Sequence, residues 1–162
     1  MTRQTVSDAQ QGLKQSASRR ELAIPVLSAV GMAISAYLWY AHAQSGAPLC
    51  APGGGCYELE VSPYALLVGL PVACWGLLTY SSILAMGFVK LWASPEAEML
   101  LRLALFGLVL FGWLFSIYLQ VLARFVLGAF CQWCFASALV MTALLVLVVI
   151  DLKDIVERPT AG

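Results

Sequence analysis

Cys131 and Cys134 form a C-x-x-C pair, Cys131-Gln132-Trp133-Cys134, and residues three apart share one face of a helix. Sulfurs so placed can close to a disulfide or open to a dithiol with little backbone motion. At a helix N-terminus, unsatisfied N–H groups and partial positive charge favour a thiolate at Cys131. Phe130, Trp133 and an apolar boundary act the other way, because low polarity raises a thiol pKa. A second pair, Cys50 and Cys56, is spaced C-x5-C around Gly53-Gly54-Gly55. Glycine imposes little backbone preference. A purely structural disulfide gains little from such a segment, whereas one that must open, swing and attack another sulfur gains a lot. Exchange runs through a thiolate attacking a disulfide, so a loop sulfur must reach Cys131 or Cys134. The extended chain from Cys56 to Ser62 covers roughly 20 Å, enough to cross the mouth of a four-helix bundle.

The elements that position these sulfurs follow from charge and hydropathy. Of 162 residues, 61% are hydrophobic and 11% charged, against about 25% charged in a soluble domain. No Asp, Glu, Lys or Arg occurs between Glu21 and Glu58, Glu60 and Lys90, Arg102 and Arg124, or Arg124 and Asp151. Each gap accommodates the roughly 20 apolar residues of a spanning helix. The pattern is that of an all-α membrane protein, a four-transmembrane-helix bundle. Residues 1–21 read as a polar, mobile cytosolic leader, residues 22–150 as the membrane domain and 151–162 as a charged cytosolic tail. The spans fall at about 22–43, 64–89, 99–122 and 129–150. Gly69 and Pro71 interrupt the second early, so Ser62 to Leu70 is expected as a short surface helix or loop over the external mouth. Ala41-His42-Ala43 imitates a signal-peptidase site, but the apolar run before it exceeds the roughly 7–15 residues of a signal peptide.

Basic residues orient the bundle. Arg3, Lys14, Arg19, Arg20, Lys90, Arg102, Lys153 and Arg158 fall at one end, and Arg124 alone at the other. Both termini are therefore expected in the cytosol of a cell whose inner (plasma) membrane holds the chain. Trp39, Tyr40, Tyr57, Tyr64 and Trp133 suit the opposite interface. Cys50, Cys56, Cys131 and Cys134 then share the external, periplasmic side, where disulfides persist. Nine basic residues balance nine acidic ones, and no basic patch points to nucleic acid.

Other chemistries fit less well. Haem attachment needs a histidine where Phe135 stands. A four-cysteine zinc site matches by number, but C-x5-C is loose for it and the compartment is oxidising, so no metal is expected. His42 reads as an interfacial side chain, and Cys74, in the body of span two, as a small buried hydrophobe.

The loop pair, Ser62-Pro63-Tyr64, Val68-Gly69-Leu70-Pro71-Val72-Ala73 and the C-x-x-C opening the last helix together resemble the bacterial vitamin K epoxide reductase homologues, over about residues 22–150. The order of the pairs is the reverse of that in the DsbB type. The resemblance implies a four-helix bundle around a quinone, ubiquinone or menaquinone. It implies electrons passing from a thioredoxin-like or DsbA-like protein to Cys50 and Cys56, then to Cys131 and Cys134, then to quinone. Carried over by position, Cys50 meets the partner, Cys56 exchanges with Cys131, and Cys134 faces the quinone. Ser62 corresponds to a serine that bonds a quinone oxygen or steadies the loop. Many bacterial members carry a fused thioredoxin-like domain. None follows here, so the expected partner is a separate protein. The animal enzymes have a tyrosine where Ala138 stands, which puts quinone reduction ahead of epoxide reduction.

A quinone head group needs an apolar slot with few polar contacts. The external half of span three offers Phe111, Trp113, Phe115 and Tyr118, of which Phe111, Phe115 and Tyr118 are the expected contacts. Tyr37 and Tyr40 lie at the same depth on span one. Gly31, Ser35, Gly107 and Gly112 are expected to let helices approach closely. No carboxylate lies within the spans, so protons for quinol are expected from the external mouth. The leading function is a quinone-dependent thiol oxidase. The alternatives are a thiol-driven reductase of naphthoquinone or vitamin K epoxide, and a non-catalytic membrane scaffold braced by a loop disulfide.

Overall fold

The computed structural model of the chain describes residues 2–44, 50, 56, 62, 66–67, 69–90 and 95–156, with the side chains of the first helix from Leu22 on. Among the described residues four long helices carry the chain: α1 (Thr2–Ala43), α2 (Val72–Lys90), α3 (Pro95–Phe125) and α4 (Gln132–Val156). Each contains a stretch long and apolar enough to cross a membrane: Leu22–Ala43, Val72–Lys90, Ala97–Phe125 and Gln132–Asp154. The 19 residues of α2 rise about 28 Å, close to the roughly 30 Å hydrocarbon thickness of a bilayer.

Helix boundaries follow local chemistry. α1 continues without a break from Thr2 through the polar leader into the span, a segment whose Gln and Arg residues favour helix. The second helix starts at Val72 rather than near Tyr64. A two-residue antiparallel ladder precedes it, β1 (Leu66–Leu67) on β2 (Leu70–Pro71), pairing Leu66 with Pro71 and Leu67 with Leu70. The turn between them needs Gly69, whose φ is 80°, and Pro71 has no N–H with which to extend a helix backwards. The expected surface segment is therefore a tight hairpin at its inner end, and of the residues before it only Ser62 is among those described. Pro95 opens α3, where its missing N–H is harmless. Gly128, with φ 64°, reverses the chain between α3 and α4. Of the tail expected from residue 151, the part to Val156 continues α4, and residues 157–162 lie outside the described set.

The core draws on every helix: Ile24 of α1, Tyr80 and Ile83 of α2, Leu105 and Val109 of α3, and Met141, Leu144 and Val148 of α4. Gly31 makes the closest approach possible. A Cβ there would stand 2.2 Å from the Tyr80 ring, so Tyr80 lies directly on the α1 backbone. Gly112 similarly faces Met141, whereas Gly107 has open space beside it, so Gly107 does not serve the close packing expected of it. The outward surface is apolar, with Leu100, Phe111 and Phe125 strongly exposed. Buried Ser28 bonds back to the Ile24 carbonyl at 2.8 Å, as a polar group in hydrocarbon must find a partner.

One end of the bundle is held by charge. Asp151 of α4 accepts from Lys90 of α2 at 2.9 Å and also pairs with Arg102 of α3, which pairs in turn with Glu98. Lys90 and Arg102 are about nine-tenths buried. The opposite end carries the cysteines.

Candidate active site

Cys131 is the residue before the first turn of α4, and its backbone begins the helix by accepting the Phe135 N–H at 3.0 Å. Its sulfur accepts the Cys134 N–H at 3.2 Å, the bond that a capping oxygen makes in other helices. The accepted N–H and the helix N-terminus both place partial positive charge beside this sulfur. Cys131 is buried and Cys134 is half-buried, and neither is part of a disulfide. The first turn is pinned sideways by Trp133, whose ring stands 5.0 Å from that of Tyr37 on α1.

Cys50 and Cys56 are joined by a disulfide. The segment between them lies outside the described residues, but the two sulfur-bearing residues differ in environment. Cys56 is 2% exposed, and Cys50 is partly exposed. Each pair thus has one deeply buried member, Cys56 in the loop and Cys131 at the helix, and one more accessible member.

A cavity of about 420 Å³ opens beside Cys134, walled by residues of all four helices. Its size lies within the roughly 300–1,000 Å³ of small-molecule sites. Ser62, Phe111, Phe115 and Cys134, four of the residues singled out in the sequence, all line it. Tyr118 does not. It is 57% exposed and stacks on Phe115 with ring centroids 6.4 Å apart, on the outer side of α3. The reason is helical phase: Gly112, Phe115 and Leu119 face the cavity, Phe111 stands at its edge and is itself 67% exposed, and Tyr118, about 20° further round the helix than Phe111, falls outside it. Tyr37 packs on Trp133 instead of lining the cavity, and Tyr40 is exposed.

Two further residues of the cavity wall escaped sequence reading. Tyr80, 1% exposed, donates its hydroxyl to the Ser137 carbonyl at 3.0 Å and lies 2.9 Å from the Ser137 hydroxyl. Ser137 is three residues beyond Cys134, on the same face of α4, so Tyr80 ties α2 to the helix that carries the reactive pair. Gln120 of α3 also lines the cavity, and its buried Nε2 has no hydrogen-bond partner among the described residues. The available signal was polarity: Gln120 is the one carboxamide in the charge-free stretch between Arg102 and Arg124, and a polar side chain inside a span is a functional candidate.

The model of the vitamin K epoxide reductase family matches residues 22–149, which takes in both cysteine pairs, the hairpin, three spans and most of the fourth. The chain belongs to the vitamin K epoxide reductase family. As a member, it is an integral membrane oxidoreductase, of the kind that works in thiol–disulfide and quinone chemistry. Within that family frame, the cavity places Cys134 against an apolar slot and keeps Cys131 behind it.

Proposed function

We propose that the protein is a quinone-dependent thiol oxidase that reoxidises a separate thioredoxin-like, disulfide-donating protein. The observation that carries this reading is the position of Cys134 in the wall of the cavity, next to a pair partner buried at the start of α4. A partner dithiol attacks the Cys50–Cys56 disulfide at the more accessible Cys50. The partner leaves as a disulfide, and the loop pair holds the two electrons as a dithiol. The Cys56 thiolate then attacks Cys131 of an oxidised Cys131–Cys134 pair, and resolution by Cys50 leaves Cys131 and Cys134 reduced. Ubiquinone or menaquinone supplies the final acceptor, taking two electrons and two protons as the Cys131–Cys134 disulfide re-forms.

The chain's own residues fit such an acceptor. Phe111 and Phe115 offer flat apolar walls, Ser62 a hydroxyl, and the unpartnered Gln120 amide a donor for an oxygen with none. On this reading Cys131, whose sulfur caps the Cys134 N–H at the start of α4, is the sulfur that Cys56 of the loop attacks. Tyr80, through Ser137, keeps the cavity face of α4 fixed while the pair opens and closes. Residues 1–21 and 151–162 lie in the cytosol on this reading, and both cysteine pairs lie on the external side of the plasma membrane.

Purified protein with a reduced thioredoxin-like partner and short-chain ubiquinone or menadione tests the reading by quinone absorbance. Consumption that disappears in Cys134→Ala is the expected result. A wild type that consumes no quinone reduces the loop disulfide to a brace and overturns the proposal. Impermeant maleimide on whole cells is expected to label both reduced pairs, and labelling of either only after lysis overturns the sidedness.

A further inference from the structure

The cavity wall is apolar over most of its area, and among its residues Gln120 stands out. Tyr80 and Ser137 satisfy each other, and Thr79 returns its hydroxyl to the Trp75 carbonyl at 2.9 Å. The Gln120 Nε2 has no such partner among the described residues. A buried amide donor left unpaired is costly, and native structures keep one where water, an ion or a ligand completes it. Gln120 lies five residues before the end of α3 and Cys134 two residues after the start of α4. At 1.5 Å per residue, counted from level helix ends, the Gln120 backbone is about 4.5 Å deeper in the bundle than that of Cys134. A planar ligand with its edge at Cys134 therefore presents its far side at the depth of Gln120.

We infer that Gln120 is the hydrogen-bond donor that holds a quinone carbonyl oxygen and sets the depth of the ring relative to Cys134. The inference rests on the quinone-dependent function proposed above. Rotation about the terminal torsion of the side chain, which is broad in its preference, turns the N–H2 into the cavity that the rest of Gln120 lines, with no movement of α3. The carbonyl accepts, the amide donates, and the ligand completes a donor that the described residues leave open. The amide discriminates by chemistry: a ring bearing a carbonyl oxygen at that depth is held, and a hydrocarbon of equal shape is not.

Gln120→Met keeps length and removes the donor. The probes are a short-chain ubiquinone and menadione, each carbon-13 labelled at the carbonyls, with the full-length protein in detergent. Wild type is expected to bind the quinone with its carbonyl band shifted down from that of the unbound compound. In the variant, dissociation constant and KM are expected to rise about tenfold, equivalent to about 1.4 kcal/mol, with kcat changed less than twofold. The bound band moves back toward its unbound position, and thermal stability without quinone is unchanged or higher. Unaltered affinity and an unmoved band, in a protein whose wild type consumes quinone, overturn this inference and leave the proposed function intact. Weaker binding with an unmoved band assigns Gln120 to packing and overturns it as well. A wild type that binds no quinone overturns both.

Discussion

The two ends of the bundle resolve the problem of polar groups in a membrane in opposite ways. At the end formed by Lys90, Glu98, Arg102 and Asp151, each charge meets an opposite one, and three helices are joined through one carboxylate. At the cysteine end, the chain keeps a cavity of about 420 Å³, a sulfur in its wall and an amide donor without a partner among the described residues. A satisfied network rigidifies, and an incomplete one is retained where a ligand completes it. The contrast shows where the molecule concentrates its stability and where its chemistry.

The sharpest way to separate the ends is to remove one essential group from each. Cys134→Ala is expected to bring quinone consumption to background while shifting stability by less than about 1 kcal/mol, measured by absorbance and by thermal unfolding in detergent. Asp151→Asn is expected to do the reverse. It leaves Lys90 and Arg102 without their shared carboxylate, at a cost of about 3 kcal/mol, the lower part of the range for breaking a buried pair because Asp151 is partly exposed. KM for quinone, assayed well below the unfolding transition, stays within twofold of wild type.

Smaller effects test the mechanical link between the ends. Gly31→Ala drives a methyl group into the Tyr80 ring, whose nearest atom is 2.2 Å from the Cβ position. Overpacking of this kind costs about 1–3 kcal/mol, and displacement of Tyr80 from Ser137 is expected to slow turnover as well. Tyr80→Phe removes only the hydroxyl. Its expected cost is about 1 kcal/mol, the net worth of one hydrogen bond, with a milder loss of turnover. If Gly31→Ala lowers stability but Tyr80→Phe and Gly31→Ala both leave turnover at wild-type level, the two ends are independent and Tyr80 only packs.

Much of this was legible along the chain because a bilayer is an unforgiving solvent. Uncharged stretches of the required length can be counted, and the four helices lie on them with one displaced start. That start, at Val72, depended on a hairpin of two residues per strand, below the length at which alternation shows a strand. The cysteine pairs were legible because spacing of three at a helix start is local geometry. Phe111 and Phe115 were assigned to the cavity from their depth, and Tyr118 was assigned with them by the same criterion. Depth does not fix the direction in which a side chain points, and Tyr118 faces outward on Phe115. Tyr80 was invisible for a related reason: its role depends on Gly31 of one helix and Ser137 of another, 49 and 57 residues away by their numbers.

The sequence by itself determined that this chain lives in a membrane, how many apolar helices it carries to cross one, and that its cysteines fall in two spaced pairs. Those properties depend on runs of apolar residues and on spacings within one turn, which are local. Only the tertiary structure decided which faces enclose the cavity, that Cys134 rather than Cys131 lines it, and that Gln120 is left with a donor unspent. Such properties arise where four helices meet, because burial and partnership are set by neighbours from other helices and not by residues adjacent in the chain.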